Sequence, residues 1–149
     1  MAGQFEVTTE IERPIEEVFA FLADGENDPR FSPRVERIAK VTDGPVGVGT
    51  VYESTVKDAG VRTRREFRIT EFDPPSRIRW TEISENLVRT EEGGYDLEKA
   101  GEGITRVRLF NALTGEGVGK LMAGTALNAA RADAEDFGRR IKEAVEGGT

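Results

Sequence analysis

The stretch EFRITEFDPPSRIRWTEI, Glu66–Ile83, alternates Phe67 and Ile69 with Arg68 and Thr70, breaks at Asp73-Pro74-Pro75, and resumes with Ile78 and Trp80 set against Arg77 and Arg79. Period-two alternation is the pattern of a strand with one apolar and one wet face, and so short a proline-marked turn joins antiparallel neighbours. The stretch predicts a hairpin whose inner face carries Phe67, Ile69, Ile78 and Trp80.

The same pattern continues on both sides. Thr50–Lys57 and Arg62–Phe72 are separated by a turn at Asp58-Ala59-Gly60. Beyond Arg77–Ile83 come Val88–Glu98, a turn at Lys99–Gly103, and Thr105–Thr114. Tyr95 and Leu97, then Val107, Leu109 and Leu113, extend the apolar face. The inward face of Thr50–Lys57 stays open, since one register slip exchanges Tyr52 for Val51 and Glu53; the register of Val35–Thr42 is open too. Upstream, Phe5, Val7, Thr9 and Ile11 form one more alternating strand. Pro14 ends it and opens a helix with Ile15, Val18, Phe19 and Leu22 at helical spacing. GENDPRFSP, Gly25–Pro33, reads as a loop or a broken short helix. GPVGVG, Gly44–Gly49, lacks the Gly-Lys-Ser/Thr ending of a phosphate loop and opens no helix, so it is a turn.

A sheet with one apolar face needs a cover, and the one long helix, about Val118–Glu146, spans roughly 43 Å at 1.5 Å per residue. Its apolar stripe centres on Gly119, Ala126, Ala130, Phe137, Ile141 and Ala144, flanked by Met122, Ala123, Ala129 and Ala134. Bulk arrives only at Phe137. Either another backbone approaches the alanines closely, or something other than protein fills the space beside them.

Composition removes much of the common chemistry. Among 149 residues there is no cysteine and no histidine. Thiol nucleophiles, disulfides, His-based triads and His- or Cys-liganded metal sites are therefore excluded. With 21 basic and 28 acidic residues the net charge is −7, which argues against nucleic acid and anionic lipid as partners. The length fits one domain, 1–149. MAGQFEVTTEIERP has no apolar leader core, and no run approaches the ~18 apolar residues of a membrane span. The expectation is a cytoplasmic protein without membrane insertion.

In its order of elements and in its punctuation the chain resembles the SRPBCC superfamily of START-like, birch-pollen-allergen-like proteins, and within it the polyketide cyclase/dehydrase-like branch. The matching stretches are IERPIEEVFAFLADGENDPRFSP, GPVGVGTVYE, ITEFDPPSRIRW and the segment Gly103-Ile104-Thr105-Arg106-Val107. One departure is Phe31, where the family often has tryptophan. The resemblance implies an α+β helix-grip fold. In it a curved seven-stranded antiparallel sheet wraps the long carboxy-terminal helix, two short helices lie between the first two strands, and a cavity separates sheet and helix.

In such a fold the candidate ligand-binding residues are Tyr52, Phe67, Trp80, Tyr95, Asn111, Met122, Ala126 and Ala130. Asn111 stands in the apolar register Val107-Leu109-Asn111-Leu113, so its amide points inward, towards a ligand or towards a neighbouring polar group. The three larger aromatics Tyr52, Trp80 and Tyr95 either line a cavity or fill the core. No catalytic residue is identified; the weak candidates are Asp133, a general base or an edge carboxylate paired with a sheet arginine, and Glu82, inward or at the rim. Arg62, Arg64 and Arg68 share the face opposite Phe67 and Ile69, where Glu53, Glu82, Glu91 and Glu92 are available for cross-strand pairs.

The leading expectation is binding of a hydrophobic small molecule, a polyketide, lipid or isoprenoid-like compound, by a monomer or homodimer without cofactor or metal. The alternatives are a polyketide cyclase or dehydratase working through Asp, Glu and Tyr groups, and an interaction module with a filled cavity.

Overall fold

The computed structural model describes residues 3–58 and 60–147. Ala59, in the turn expected at Asp58-Ala59-Gly60, lies outside the described residues. Among the described residues seven strands form one antiparallel sheet: β1 (Gly3–Ile11), β2 (Val35–Lys40), β3 (Val51–Asp58), β4 (Val61–Asp73), β5 (Arg77–Glu82), β6 (Val88–Gly101) and β7 (Ile104–Gly115). The order is β1-β7-β6-β5-β4-β3-β2. Helix α1 (Ile15–Ala23) and a 3₁₀ turn (Gly25–Arg30) connect β1 to β2, and α2 (Val118–Gly147) closes the chain. This is the expected helix grip, and the element boundaries fall within a few residues of those read from alternation.

Antiparallel register sorts the inner face into rows. Phe5, Asn111, Gly93, Trp80 and Ile69 make one row across β1, β7, β6, β5 and β4. Val7, Leu109, Tyr95, Ile78 and Phe72 make the next. The open register of β3 resolves with Tyr52 and Ser54 buried on the inner face, Tyr52 opposite Phe67 and Ser54 opposite Arg65. From α1, Ile15, Val18, Phe19 and Leu22 bury against these rows, and Phe19 meets Phe72 edge to face at 5.4 Å.

Helix α2 lies along β1 and runs the same way. Leu127 sits beside Gly3, Gly138 beside Val7, and Glu146 accepts the amide of Glu12 at 2.8 Å. A side chain at Gly138 would press on the Val7 methyl and Thr9, so the absent Cβ lets helix and strand approach closely.

The single apolar stripe expected for α2 divides into two. Gly119, Ala123, Leu127, Gly138, Ile141 and Val145 are the buried residues, and Leu127 supplies bulk earlier than the sequence reading placed it. Ala126, Ala130, Asp133, Phe137 and Ala144, one step round the helix, are half-buried. The correction has a simple cause: the helix is mounted mainly on the edge strand, so the face resting on protein is rotated from the apolar centre.

The outer face carries ion pairs, with partners that differ in part from those expected. Arg62 meets Glu36 at 2.9 Å and Arg64 meets Glu53 at 2.7 Å, while Glu82 belongs to the inner face. Exposed pairs of this kind contribute about 0–1 kcal/mol each. Arg79 is the exception, being buried: it bonds Asp96 at 2.8 Å and lies over the Phe110 ring, which Arg108 covers as well.

Candidate functional site

The two halves of α2 meet the sheet differently. Ala134, Phe137 and Ala144 pack against the core, and Phe137 meets Phe31 edge to face at 6.0 Å. Ala126 and Ala130, on the same face but nearer the amino end, are half-buried without joining the core. Phe67, half-buried on the sheet, does not join it either, and Trp80 touches the core while remaining half-buried. Neither alanine is covered by the packed core. At the rim Met122 is 48% exposed, in company with Leu121, Val118, Leu87 and Ile83.

The inner face of the sheet carries a polar pair built by register. Trp80 on β5 and Asn111 on β7 flank Gly93 of β6 in one row. A Cβ on Gly93 would run into both the Asn111 carbonyl oxygen and the Trp80 indole nitrogen. Because glycine stands there, the two side chains meet across the intervening strand, Trp80 Nε1 donating to Asn111 Oδ1 at 3.2 Å. The inward amide expected of Asn111 is present, with tryptophan as its partner.

Trp80 also meets the Tyr95 ring edge to face at 5.3 Å. The Tyr52 hydroxyl reaches the Ala23 carbonyl at 3.4 Å, and the Tyr52 ring lies against Gly25 of the 3₁₀ turn. Tyr52 lines a concavity of about 430 Å³ with Ala20, Ala23, Lys40 and Val46. Burial raises the hydroxyls of both tyrosines, and both also feel the charge of Asp28.

Asp28 is the site residue that sequence reasoning missed. It stands in the proline-containing 3₁₀ turn, where no periodicity marks an inward position. Burial, and then the nearby charge of Asp24, pushes its carboxyl up to about 7 from 3.8. A raised carboxyl pKa means that the folded state keeps a proton the unfolded chain releases earlier. Stability from this group is therefore full below the unfolded value and is lost as pH rises through the folded one. Asn at this position is neutral throughout. Asp28→Asn is expected to gain on the wild type by about 2–3 kcal/mol between about pH 5 and pH 8, since each pH unit between the unfolded and folded values contributes roughly 1.4 kcal/mol. Urea unfolding of both proteins at the two pH values reads this, and an unchanged difference would place the carboxyl in water.

The two carboxylates singled out from sequence have settled partners. Glu82, 2% exposed, takes Arg65 Nη1 at 3.0 and 3.1 Å, the Ser84 hydroxyl at 2.7 Å, the Asn86 amide at 2.8 Å and the Thr90 backbone amide at 2.9 Å. It also borders a concavity of about 660 Å³ with Arg68, Arg89, Leu87 and Thr114. Asp133 bonds Arg140 of its own helix at 2.7 Å, where a sheet arginine was expected, and this hydrogen bond holds its carboxyl below the usual range. Arg140 in turn donates to the Phe31 carbonyl at 3.1 Å and so fixes the end of the 3₁₀ turn to α2. The structure brings Tyr52, Trp80, Tyr95 and Asn111 onto one inner face, with Ala126 and Ala130 on α2. Met122 lies at the rim, and Asp133 is tied to α2 and the turn.

Among the described residues no helix is long and apolar enough to cross a membrane. No curated protein sequence matches the chain significantly. The fold is shared with the ZhuI aromatase/cyclase from Streptomyces sp. R1128, 20% identical over 99% of this chain and 93% of that one, with a TM-score of 0.75. It is shared with a protein of Thermus thermophilus, 22% identical over 99% of both chains at a TM-score of 0.77. A START superfamily protein from Mycobacterium smegmatis, 14% identical over 98% of this chain and 99% of that one, gives 0.75. Residues 2–146 match the family model described as polyketide cyclase/dehydrase and lipid transport, and the chain belongs to that family.

Proposed function

We propose that the protein binds a hydrophobic small molecule, of polyketide, lipid or isoprenoid type, between the amino-terminal half of α2 and the inner face of the sheet. One observation carries this reading. Ala126 and Ala130 are half-buried without reaching the core, and on the inner face of the sheet Phe67 and Trp80 are also incompletely covered. Aromatic surface left uncovered inside a fold forfeits roughly 25 cal/mol per Å², which a ligand of matching shape recovers.

Ala126→Leu and Ala130→Leu are expected to leave the melting temperature unchanged or higher while weakening ligand uptake, because they fill free space. If the space were already close-packed, the same changes would cost about 1–3 kcal/mol through overpacking. Native mass spectrometry of the purified protein, before and after denaturation, reads uptake directly. A discrete mass lost on unfolding in the wild type and missing from the leucine variants supports the reading; an apo mass in both counts against it.

Cyclase or dehydratase chemistry is the second reading, and one observation favours it. Asp28, its carboxyl raised by burial to about 7, is able to exchange a proton near neutrality, and its charge is felt at the Tyr95 and Tyr52 hydroxyls.

A further inference from the structure

Helix α2 carries a second stripe, turned away from the protein. Opposite the buried Gly119, Ala123 and Leu127, a spacing of three and four brings Val118, Leu121, Thr125, Asn128, Ala129 and Ala132 onto one exposed face. Val118 is 66% exposed and Leu121 79%. The Thr125 hydroxyl donates to the Leu121 carbonyl at 3.1 Å, so its polar group is occupied within the helix.

The stripe is bounded. In a chain of which 33% is charged, the stretch from Val118 to Ala132 contains only Lys120 and Arg131, and both lie off the stripe. Beyond Ala132 the same face turns to Asp136, Arg139 and Glu143, exposed residues that pair with one another. Beside its amino end lie Met122 and Leu87, both exposed, with the Leu87 carbonyl set against Gly119. Together these side chains expose apolar surface on the order of 500 Å², towards the upper end for the largest patch of a monomer. Large and small residues are also distributed symmetrically about Thr125. Val118 and Ala132 each stand seven residues from it, and Leu121 and Ala129 each stand four. An antiparallel copy of α2 centred on Thr125 therefore sets Val118 against the partner's Ala132 and Leu121 against the partner's Ala129, large against small on both sides of a two-fold axis.

We infer that the protein forms a weak, reversible homodimer in which the amino-terminal half of α2 pairs antiparallel, about Thr125, with the same helix of a second copy. Two such patches together remove about 1,000 Å² from water, the lower bound for a specific association. The stripe itself bears no charge, so a second copy can lie on it although each chain carries a net charge of −7. The same net charge disfavours an anionic lipid surface as the occupant, and the match of large to small residues about one centre is what a self-pairing helix requires.

Sedimentation equilibrium of the full chain from about 1 to about 500 μM tests this. The mass is expected to rise from that of one chain towards that of two. Leu121→Glu should remain at one chain throughout, with the thermal melt of dilute wild type, since Leu121 touches solvent rather than core. Because the chain has no cysteine, single introduced thiols report the geometry. On oxidation at high concentration Thr125→Cys should cross-link about tenfold more than Glu143→Cys, and an equal mixture of Leu121→Cys and Ala129→Cys more than either alone. A wild type that stays monomeric at the highest concentration, a dimer that survives Leu121→Glu, or cross-linking no better at position 125 than at 143 overturns the inference. Cross-linking of Leu121→Cys alone that exceeds the mixture, as parallel helices would give, overturns it too. So does a monomeric wild type that floats with phosphatidylcholine vesicles where Leu121→Glu does not, which would give this face to lipid.

Discussion

Replacing Glu82 with alanine is expected to lower the unfolding free energy by about 3–5 kcal/mol, the cost of removing one partner from a buried ion pair. In a chain of this length that is a fall of roughly 10 °C in melting temperature. The size follows from what the carboxylate satisfies. Its loss strips Arg65 Nη1 of two contacts and leaves that group with the Val88 carbonyl alone, orphans the Thr90 amide, and leaves the Asn86 amide with only its two longer bonds, to the Arg64 carbonyl and the Ser84 hydroxyl. Glu82→Leu combined with Arg65→Met should recover much of the loss, because no uncompensated charge remains. If Glu82→Ala melted within a degree or two of wild type, water would have to be reaching Arg65 freely. The same saturation bears on chemistry: the oxygens of this carboxylate are already engaged by protein donors.

Ile141→Ala is the other large effect, at about 2–5 kcal/mol for a fully enclosed side chain. Ile141 is 0% exposed and lies in the half of α2 that joins the core. Beside it Gly138 lets the helix down onto β1, and below it Glu146 and Arg13 fasten the end of the helix to the chain after β1. Little can move inward to fill the gap. Chemical denaturation should show a lower midpoint with an unchanged slope, and a change under 1 kcal/mol would mean that the site collapses around the smaller side chain.

Most of the fold was legible because alternation and turn residues are local signals. Phe67 and Ile69 set against Ile78 and Trp80, with prolines between them, fix a hairpin without reference to anything distant. The site was legible in part. Asn111 was identified as inward by parity, and its tryptophan partner follows from the turns after β5 and β6 once register places Gly93 between them.

What escaped depends on tertiary placement. The helical wheel gives the direction of the apolar face of α2 but not which strand it lands on, so Leu127 was omitted and Met122 was counted inside. Arg65 was given no partner from sequence, although its parity with Phe67 puts it on the inner face, where it meets Glu82. Asp28 has no local signal at all. A carboxylate in a polar, proline-bearing turn reads as exposed until the Tyr52 ring of β3 is found against that turn.

The sheet is open, with β1 and β2 as its margins, and an open margin is a row of unpaired backbone groups on which another chain can add a strand. Here both margins are partly spoken for. Arg131 of α2 takes the Gln4 carbonyl on β1, and Glu26 of the 3₁₀ turn takes the Lys40 amide on β2. β2 is also short, irregular near Val35 and Arg37, and charged at Glu36, Arg37 and Lys40. The fold therefore resists growing sideways by strand addition, and much of its exposed apolar surface lies instead at Leu87, Val118, Leu121 and Met122, around the amino end of α2.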